Sequence, residues 1–472
     1  MASGAALSTS GAGSAAWSYE VTADANLDLD VRATFKGPIT GPLVVDDAAT
    51  RFVTAVELEE AGGWRKSDLG DARLAAACAS RCTIRYRFRL RDAARSVADV
   101  DVAILSGAAI FAPPSTWLAR PQRMGGAASA SYRFHVTTPP GVRFATGVRT
   151  ASGVDTAPGR SGTPGTPGTP GTYEAPVGSM EEAAFAAFGA LRIGHVADPG
   201  IERAIAPDVA LADDVIARWL QTEVNAIGSY FGHAPDGHAM LFIAPGNADD
   251  TGGKTLGGGG ASLLVRLGKN VKANDLADDW VVAHELIHVA FPDLDRRYTW
   301  FSEGLATYVE PIARERAGLV KREKVWADML EGFPQGLPGA ADGGLDGTRE
   351  WGRTYWGGAL YFFLADVRIR ELTKGAKGLE DALRAVVATG GNVESMWPLS
   401  RVFDVGDAAT GTRILHELYD ELGPKRGSPD LEGVLRRLGV RADPAHPGAI
   451  LFDDRAPLSS IRDAILPGPA RK

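Results

Sequence analysis

The chain has 472 residues, with 58 acidic and 50 basic side chains, a net charge of −8 and 45% hydrophobic content. That length exceeds one ordinary domain and predicts two or three. The mild acidity argues against a nucleic-acid partner, which would want a basic stripe, and no run of about 18 apolar residues offers a membrane span.

Residues 1–16 are rich in Ala, Ser and Gly and lack a charged start or a long apolar run. They read as a flexible tail rather than a signal peptide. Residues 17–197 read as a β domain. Leu27, Leu29, Val31, Ala33 and Phe35 alternate with Asp28, Asp30, Arg32 and Thr34, and Ile84, Tyr86, Phe88 and Leu90 alternate with Arg85, Arg87 and Arg89. Such period-two patterns predict strands with one buried face. The arginine ladder reads as a solvated sheet face, with an anionic partner as the alternative. Val100–Leu105, Tyr132–Val136 and Phe185–Val196 are further expected strands. The repeat Thr-Pro-Gly within 156–172 has nothing to bury and predicts a mobile surface loop inside this domain. Cys78 and Cys82, the only cysteines, are too isolated for a zinc site. They are either reduced or bridged. A bridge is the favoured reading, and with it an exported protein, whether periplasmic, envelope-bound or secreted.

The character changes over residues 198–320. Val209–Phe231 has the periodicity of a helix, and Met240–Ala244 that of a short strand. Gly253-Lys254-Thr255 mimics a phosphate-binding loop. Ala248 stands where that pattern needs glycine and no helix follows, so a nucleotide site is rejected. Gly257, Gly258, Gly259, Gly260 and Ala261 instead suit a loop opening onto an edge strand, Ala261–Leu267, where an extended peptide can add its own backbone hydrogen bonds.

The run His284-Glu285-Leu286-Ile287-His288 carries the chemistry. Two histidines four apart on a helix point the same way, so their imidazoles can hold one zinc ion, with Glu285 beside them as general base toward a water. Trp280 to Ala283, Leu286, Ile287, Val289 and Ala290 make this helix apolar nearly all round, which predicts burial. Histidines and a glutamate buried without a metal or partners would be costly. Glu303, after Trp300 and Phe301, is the expected third ligand. Glu310 lies two turns further on the same face. It is placed to accept a hydrogen bond from a ligand histidine, or else is a solvated glutamate where Pro311 ends or kinks the helix.

These residues resemble the gluzincins, which bind zinc through H-E-x-x-H and a downstream glutamate. Trp300-Phe301-Ser302-Glu303-Gly304-Leu305-Ala306-Thr307-Tyr308 is similar to the W-L-N-E-G-F-A-x-Y segment of the aminopeptidase N and glycyl aminopeptidase families. Tyr355-Trp356-Gly357-Gly358-Ala359 is similar to their Y-x-K-G-A segment, with Gly357 in place of lysine. Ala365–Leu383 resembles a glycyl aminopeptidase segment closely. The resemblance implies that Glu303 is a zinc ligand and that Tyr355 donates a hydrogen bond to the oxyanion. In these families a glutamate on the strand before the zinc helix holds the substrate's free amine. Leu256–Ser262 carries no carboxylate.

Beyond Leu319 the chain reads as helical, with Ala359–Leu372, Leu379–Val387, Ile414–Leu422, Leu431–Leu438 and Leu458–Ile465 amphipathic. The expected fold is a multidomain α+β chain. It has a β-sandwich-like domain (17–197), a thermolysin-like catalytic domain (198–320) and an α-helical domain (321–472). The expected function is that of an aminopeptidase-like zinc metallopeptidase, with one Zn2+ per chain on His284, His288 and Glu303, Glu285 and Tyr355 catalytic, and a peptide or protein as substrate. Two alternatives stay open: a zinc hydrolase of a non-peptide substrate, and a catalytically silent peptide-binding relative.

Overall fold

The computed structural model describes residues 16–468, except 37–39, 72, 73, 75, 77, 79, 80, 124–129, 152–170, 198, 199, 235–238, 340 and 341. Residues 1–15 of the expected tail at 1–16, and residues 156–170 of the expected loop at 156–172, lie outside the described residues. The chain divides into two compact units. The first takes the described residues up to Gly194, with Ala204–Val209 and Gly258–Ser262; the second takes the described residues of His195–Arg203, of Ala210–Gly257 and from Leu263 onward.

The N-terminal unit is β-rich. A seven-stranded sheet runs in the order Gly171–Pro176, Ser131–Thr137, Trp17–Ala23, Leu29–Lys36, Arg81–Phe88, Val53–Glu60 and Gly63–Lys66. Only the Trp17–Ala23 and Ser131–Thr137 pair is parallel among the pairings described here. A four-stranded sheet orders Arg143–Thr146, Ala186–Gly189, Ala109–Phe111 and Ile104–Ser106. The two sheets meet through aromatic rings. Phe134 and Tyr173 from the first pack on Phe144 from the second, and Trp117 meets both Phe134 and Phe188. Alternation along Leu29–Lys36 sends Leu29, Val31, Ala33 and Phe35 into this core. The expected strand Val100–Leu105 shrinks to Ile104–Ser106, because the chain turns at Asp99–Ala103 before it. The arginine ladder has acidic partners within the same sheet and in the turn before Leu29. Arg85 pairs with Glu57, Arg87 with Asp24, Asp28 and Asp30, and Arg32 of the adjoining strand with Glu59. Those pairs neutralise the face that an anion would need. Cys78 and Cys82 form a disulfide.

The second unit is mixed, then helical. A five-stranded sheet, most of whose residues belong to this unit, has the order Arg192–Ala197, Ile201–Ile205, Ala239–Pro245, Ala261–Leu267 and Gly252–Leu256. The expected edge strand Ala261–Leu267 is therefore interior, and Gly252–Leu256 forms the edge. The interior position follows from composition. All of Ala261–Val265 is buried, which requires cover on both faces. Helices α1 (Asp213–Phe231), α2 (Val281–Ala290) and α3 (Thr299–Arg316) follow the periodic apolar positions of the sequence. After α4 (Arg322–Gly332) come α5 (Trp351–Leu372), α6 (Leu379–Ala388), α7 (Leu399–Thr410), α8 (Ile414–Leu422), α9 (Leu431–Leu438) and α10 (Ser459–Ile465). No helix of the described residues is long and apolar enough to cross a membrane.

Helix α5 starts eight residues before the expected Ala359, because Glu350 caps it. The Glu350 carboxylate accepts hydrogen bonds from the backbone N–H groups of Gly352 and Arg353. Gly357 and Gly358 lie inside the helix despite their low propensity. Gly358 lies against Gly304 of α3 and the carbonyl of Trp300, so a Cβ at either glycine would collide. This approach holds the first turns of α5 against the start of α3, where Glu303 stands.

A buried charge cluster ties α1 to α3. Arg314 hydrogen-bonds Glu310 at 3.0 Å and the carbonyl of Ala277 at 2.8 Å, and lies 3.3 Å from Glu223 in poor hydrogen-bond alignment. Burial is the main cause that pushes the Glu223 and Glu310 carboxyls up to about 7; Arg314 opposes it, while Asp279 adds to both, Glu310 to Glu223 and Asp328 to Glu310. The folded pKa lies above the unfolded value of 4.5, so the cluster's stability is fully present below pH 4.5 and declines as pH rises to about 7. Glu223→Gln is expected to stabilise the protein at pH 8 by roughly 1–3 kcal/mol, because Glu310 still pairs with Arg314. At pH 4 the two proteins should melt together. Equal melting temperatures at both pH values would contradict the assignment.

Candidate active site

Helices α2, α3 and α5 bring four side chains to one place. His284 and His288 lie one turn apart on α2, with ring centroids 5.1 Å apart. Glu303, in the first turns of α3, directs Oε2 at both: 3.1 Å from His284 Nε2 and 3.6 Å from His288 Nε2. Tyr355 of α5 lies nearly parallel to the His284 ring at 6.2 Å. The short loop between α2 and α3 is turned by Asp295, whose carboxylate accepts from the backbone N–H of Arg297. That turn lets Glu303 return to the histidines after only fifteen residues.

The three donor atoms of His284, His288 and Glu303 lie within 4.8 Å of one another. Zinc bonds of about 2.0–2.1 Å in a tetrahedron put donors roughly 3.3 Å apart. The separations of 3.1 and 3.6 Å bracket that spacing, and two imidazoles with a carboxylate are a suitable donor set. The residues therefore fit a zinc ion. The shifts of His288 and Glu303 are those of a pair of opposite charge. Burial works to lower the His288 pKa and to raise that of Glu303, yet each overrides this for its partner. The Glu303 carboxylate, with Glu285 and Asp293, raises His288 to about 8, and the two histidines hold Glu303 well below the usual carboxylate range.

Glu285 points toward the edge strand. Its Oε2 accepts a hydrogen bond from the Thr255 hydroxyl at 2.7 Å. Gly253 of the same strand packs so closely on the Glu285 side chain that a Cβ there would collide with it. Sequence reasoning missed both contacts, because thirty residues separate them from Glu285. Thr255→Val keeps the side chain's shape and removes the donor. Its kcat is expected to fall roughly tenfold, the cost of about one hydrogen bond to a charged group, and Thr255→Ser to restore most of it. Unchanged kcat in the valine variant would remove this role.

Tyr355 is partly buried. Burial, then the charge and hydrogen bond of Glu303, and then Glu285, push its hydroxyl pKa up. It therefore stays protonated, and a donor, through neutral pH.

Two expected roles meet different surroundings. Glu310 is buried and paired with Arg314, and among the described residues no hydrogen bond joins it to either histidine. It is not a solvated glutamate either, since α3 continues past Pro311 to Arg316. Gly257–Ala261, expected as a strand open to substrate, are all buried. Gly257 lies against Val393, Gly258 donates to the carbonyl of Glu182, and Gly260 bridges Val148. Their glycines serve close packing of the chain on itself. Trp280, expected within the buried helix, instead precedes α2 and is half exposed.

No family model matches the sequence, and a search of curated proteins returns no match. Solved structures with the same fold are found. An aminopeptidase N family protein from Idiomarina loihiensis superposes with a TM-score of 0.63 at 15% identity, over 90% of this chain and 78% of that one. A mutant of an M1 zinc metallopeptidase from Deinococcus radiodurans gives 0.52 at 16% identity, over 88% and 94%. Native yeast LTA4 hydrolase gives 0.53 at 12% identity, over 89% and 70%. The chain thus has the fold of M1-type zinc metallopeptidases: a β-rich N-terminal domain, a mixed domain and a helical C-terminal domain.

Proposed function

We propose that this chain is a zinc-dependent metallopeptidase of the aminopeptidase-like gluzincin kind, holding one zinc ion on His284, His288 and Glu303. The observation that carries the reading is the convergence of those three donors with Glu285 and Tyr355. A zinc ion bound there would supply a Lewis acid that polarises a carbonyl and acidifies water. Glu285 takes the proton of the attacking water and returns it to the leaving amine nitrogen. The hydroxyl of Tyr355 donates to the carbonyl oxygen as negative charge grows on it. The edge strand Gly252–Leu256 offers backbone groups for an extended peptide to pair with, a role that passes to it from Gly257–Ala261. The substrate is a peptide or protein. An exported location goes with this reading, supported by the disulfide, since such bridges persist in oxidising compartments.

One observation favours a second reading, hydrolysis of a non-peptide substrate by the same residues: one fold neighbour is named a hydrolase of LTA4. A mixed peptide library, with products read by mass spectrometry, separates the two. Cleavage of peptides is expected, and release of single N-terminal residues would mark an aminopeptidase. Intact peptides alongside turnover of a non-peptide ester or epoxide panel would overturn the peptidase reading.

A further inference from the structure

Four aromatic rings run in series across the candidate site. Trp280 meets the His284 ring edge-on at 5.4 Å, His284 lies near-parallel to Tyr355 at 6.2 Å, and Tyr355 stacks on Trp351 at 5.0 Å. The inner two rings belong to the proposed chemistry. The outer two are tryptophans, 50% and 60% exposed. Indole is the largest apolar side chain, and leaving it in water forgoes the gain from burial. Among the described residues the other exposed large hydrophobics are Leu372 and Met396, so both exposed indoles stand beside this one site.

Neither tryptophan belongs to a core. Trp280 precedes the first turn of α2, and Trp351 is the first residue of α5. Their position is set by the same helix starts that set His284 and Tyr355, four residues further along each chain segment. The two indoles thus touch the His284 and Tyr355 rings, the side chains that a substrate carbonyl would meet in the proposed reaction. Among the described residues no arginine or lysine stacks on either indole, unlike Trp64 and Trp397, which carry guanidinium groups. The carboxylates next to them in the chain are turned to backbone donors: Asp279 accepts from the N–H of Val281, and Glu350 from those of Gly352 and Arg353. What the rings offer a substrate is apolar surface.

We propose that Trp280 and Trp351 are the platforms that receive substrate side chains, and that this site prefers peptides with large apolar, above all aromatic, residues flanking the scissile bond. The inference rests on the peptidase reading. A large side chain seated on an indole rather than a methyl group in the same place is expected to change kcat/KM by roughly ten- to hundredfold.

The test uses matched peptides carrying Phe, Ala or Lys beside the cleaved bond. They are given to the zinc-loaded wild type, to Trp280→Ala and Trp351→Ala, and to the corresponding Trp→Phe variants, with zinc content measured on each. The wild type is expected to favour Phe over Ala at least tenfold, each alanine variant to lower that ratio about tenfold, and each phenylalanine variant to recover most of it. A ratio unchanged in both alanine variants overturns the inference, as does a wild-type preference for Lys. A parallel loss on Phe and Ala peptides with less bound zinc also overturns it, because the indoles would then only brace His284 and Tyr355. If the wild type cleaves no peptide, the peptidase reading fails, and calorimetric binding of the same peptides decides the inference by itself. Tighter binding of the Phe peptide that depends on the tryptophans sustains it; equal binding in all proteins, or none in any, overturns it.

Discussion

Glu285→Gln is expected to keep the fold and the bound zinc while kcat falls by at least ~10²–10⁴, the usual contribution of a positioned general base. The amide is nearly the same size as the carboxylate, so packing against Gly253 is unchanged. The amide oxygen still accepts from Thr255, which now bonds Oε2 at 2.7 Å. What is lost is the capacity to take a proton and return it to the leaving amine. Because His284, His288 and Glu303 are untouched, metal content separates this variant from a ligand mutant such as His284→Ala, which is expected to lose zinc and activity together. Near-normal kcat in Glu285→Gln would mean that another residue accepts the proton.

Tyr355→Phe is expected to leave zinc content intact and to lower kcat by roughly 10²–10³ with little change in KM, the cost of one oxyanion donor. The ring is held on both sides, by Trp351 at 5.0 Å and by His284 at 6.2 Å, and phenylalanine preserves both contacts. The variant therefore isolates the hydroxyl. The competing account makes Tyr355 a packing residue between two aromatic neighbours; it predicts equal kcat for the two proteins, and that result would end the oxyanion role.

The parts of the site legible in the sequence are those written in one helix. The four-residue spacing of His284 and His288 specifies a shared face whatever lies around it. The aromatic pair before Glu303 marks the next helix in the same way. The same logic put Glu310 on the face of Glu303, but helix periodicity says nothing of what faces it. The partner turned out to be Arg314, four residues on, with Glu223 of α1 beyond. Contacts between distant segments were not legible. The Thr255 to Glu285 hydrogen bond depends on which strand closes the sheet, and four consecutive glycines drew attention to the wrong one. The consecutive apolar residues Leu263-Leu264-Val265 were the available signal that their strand is interior. The sequence predicts the start of α5 only at Ala359, and the structure carries it through Gly357 and Gly358, which have low helix propensity. Their cause is tertiary: Gly358 meets Gly304, and Gly357 lies against Leu345. The exposure of Trp280 was hidden for a related reason: a tryptophan beside an apolar helix reads as core unless the helix end is known.

The most direct test of the account is metal content and peptide turnover on the same sample, before and after stripping with a chelator and after adding back zinc. Three converging ligands predict about one zinc per chain, peptide hydrolysis that disappears with the metal, and its return on reconstitution. Full peptide turnover by rigorously metal-free protein would contradict the central claim.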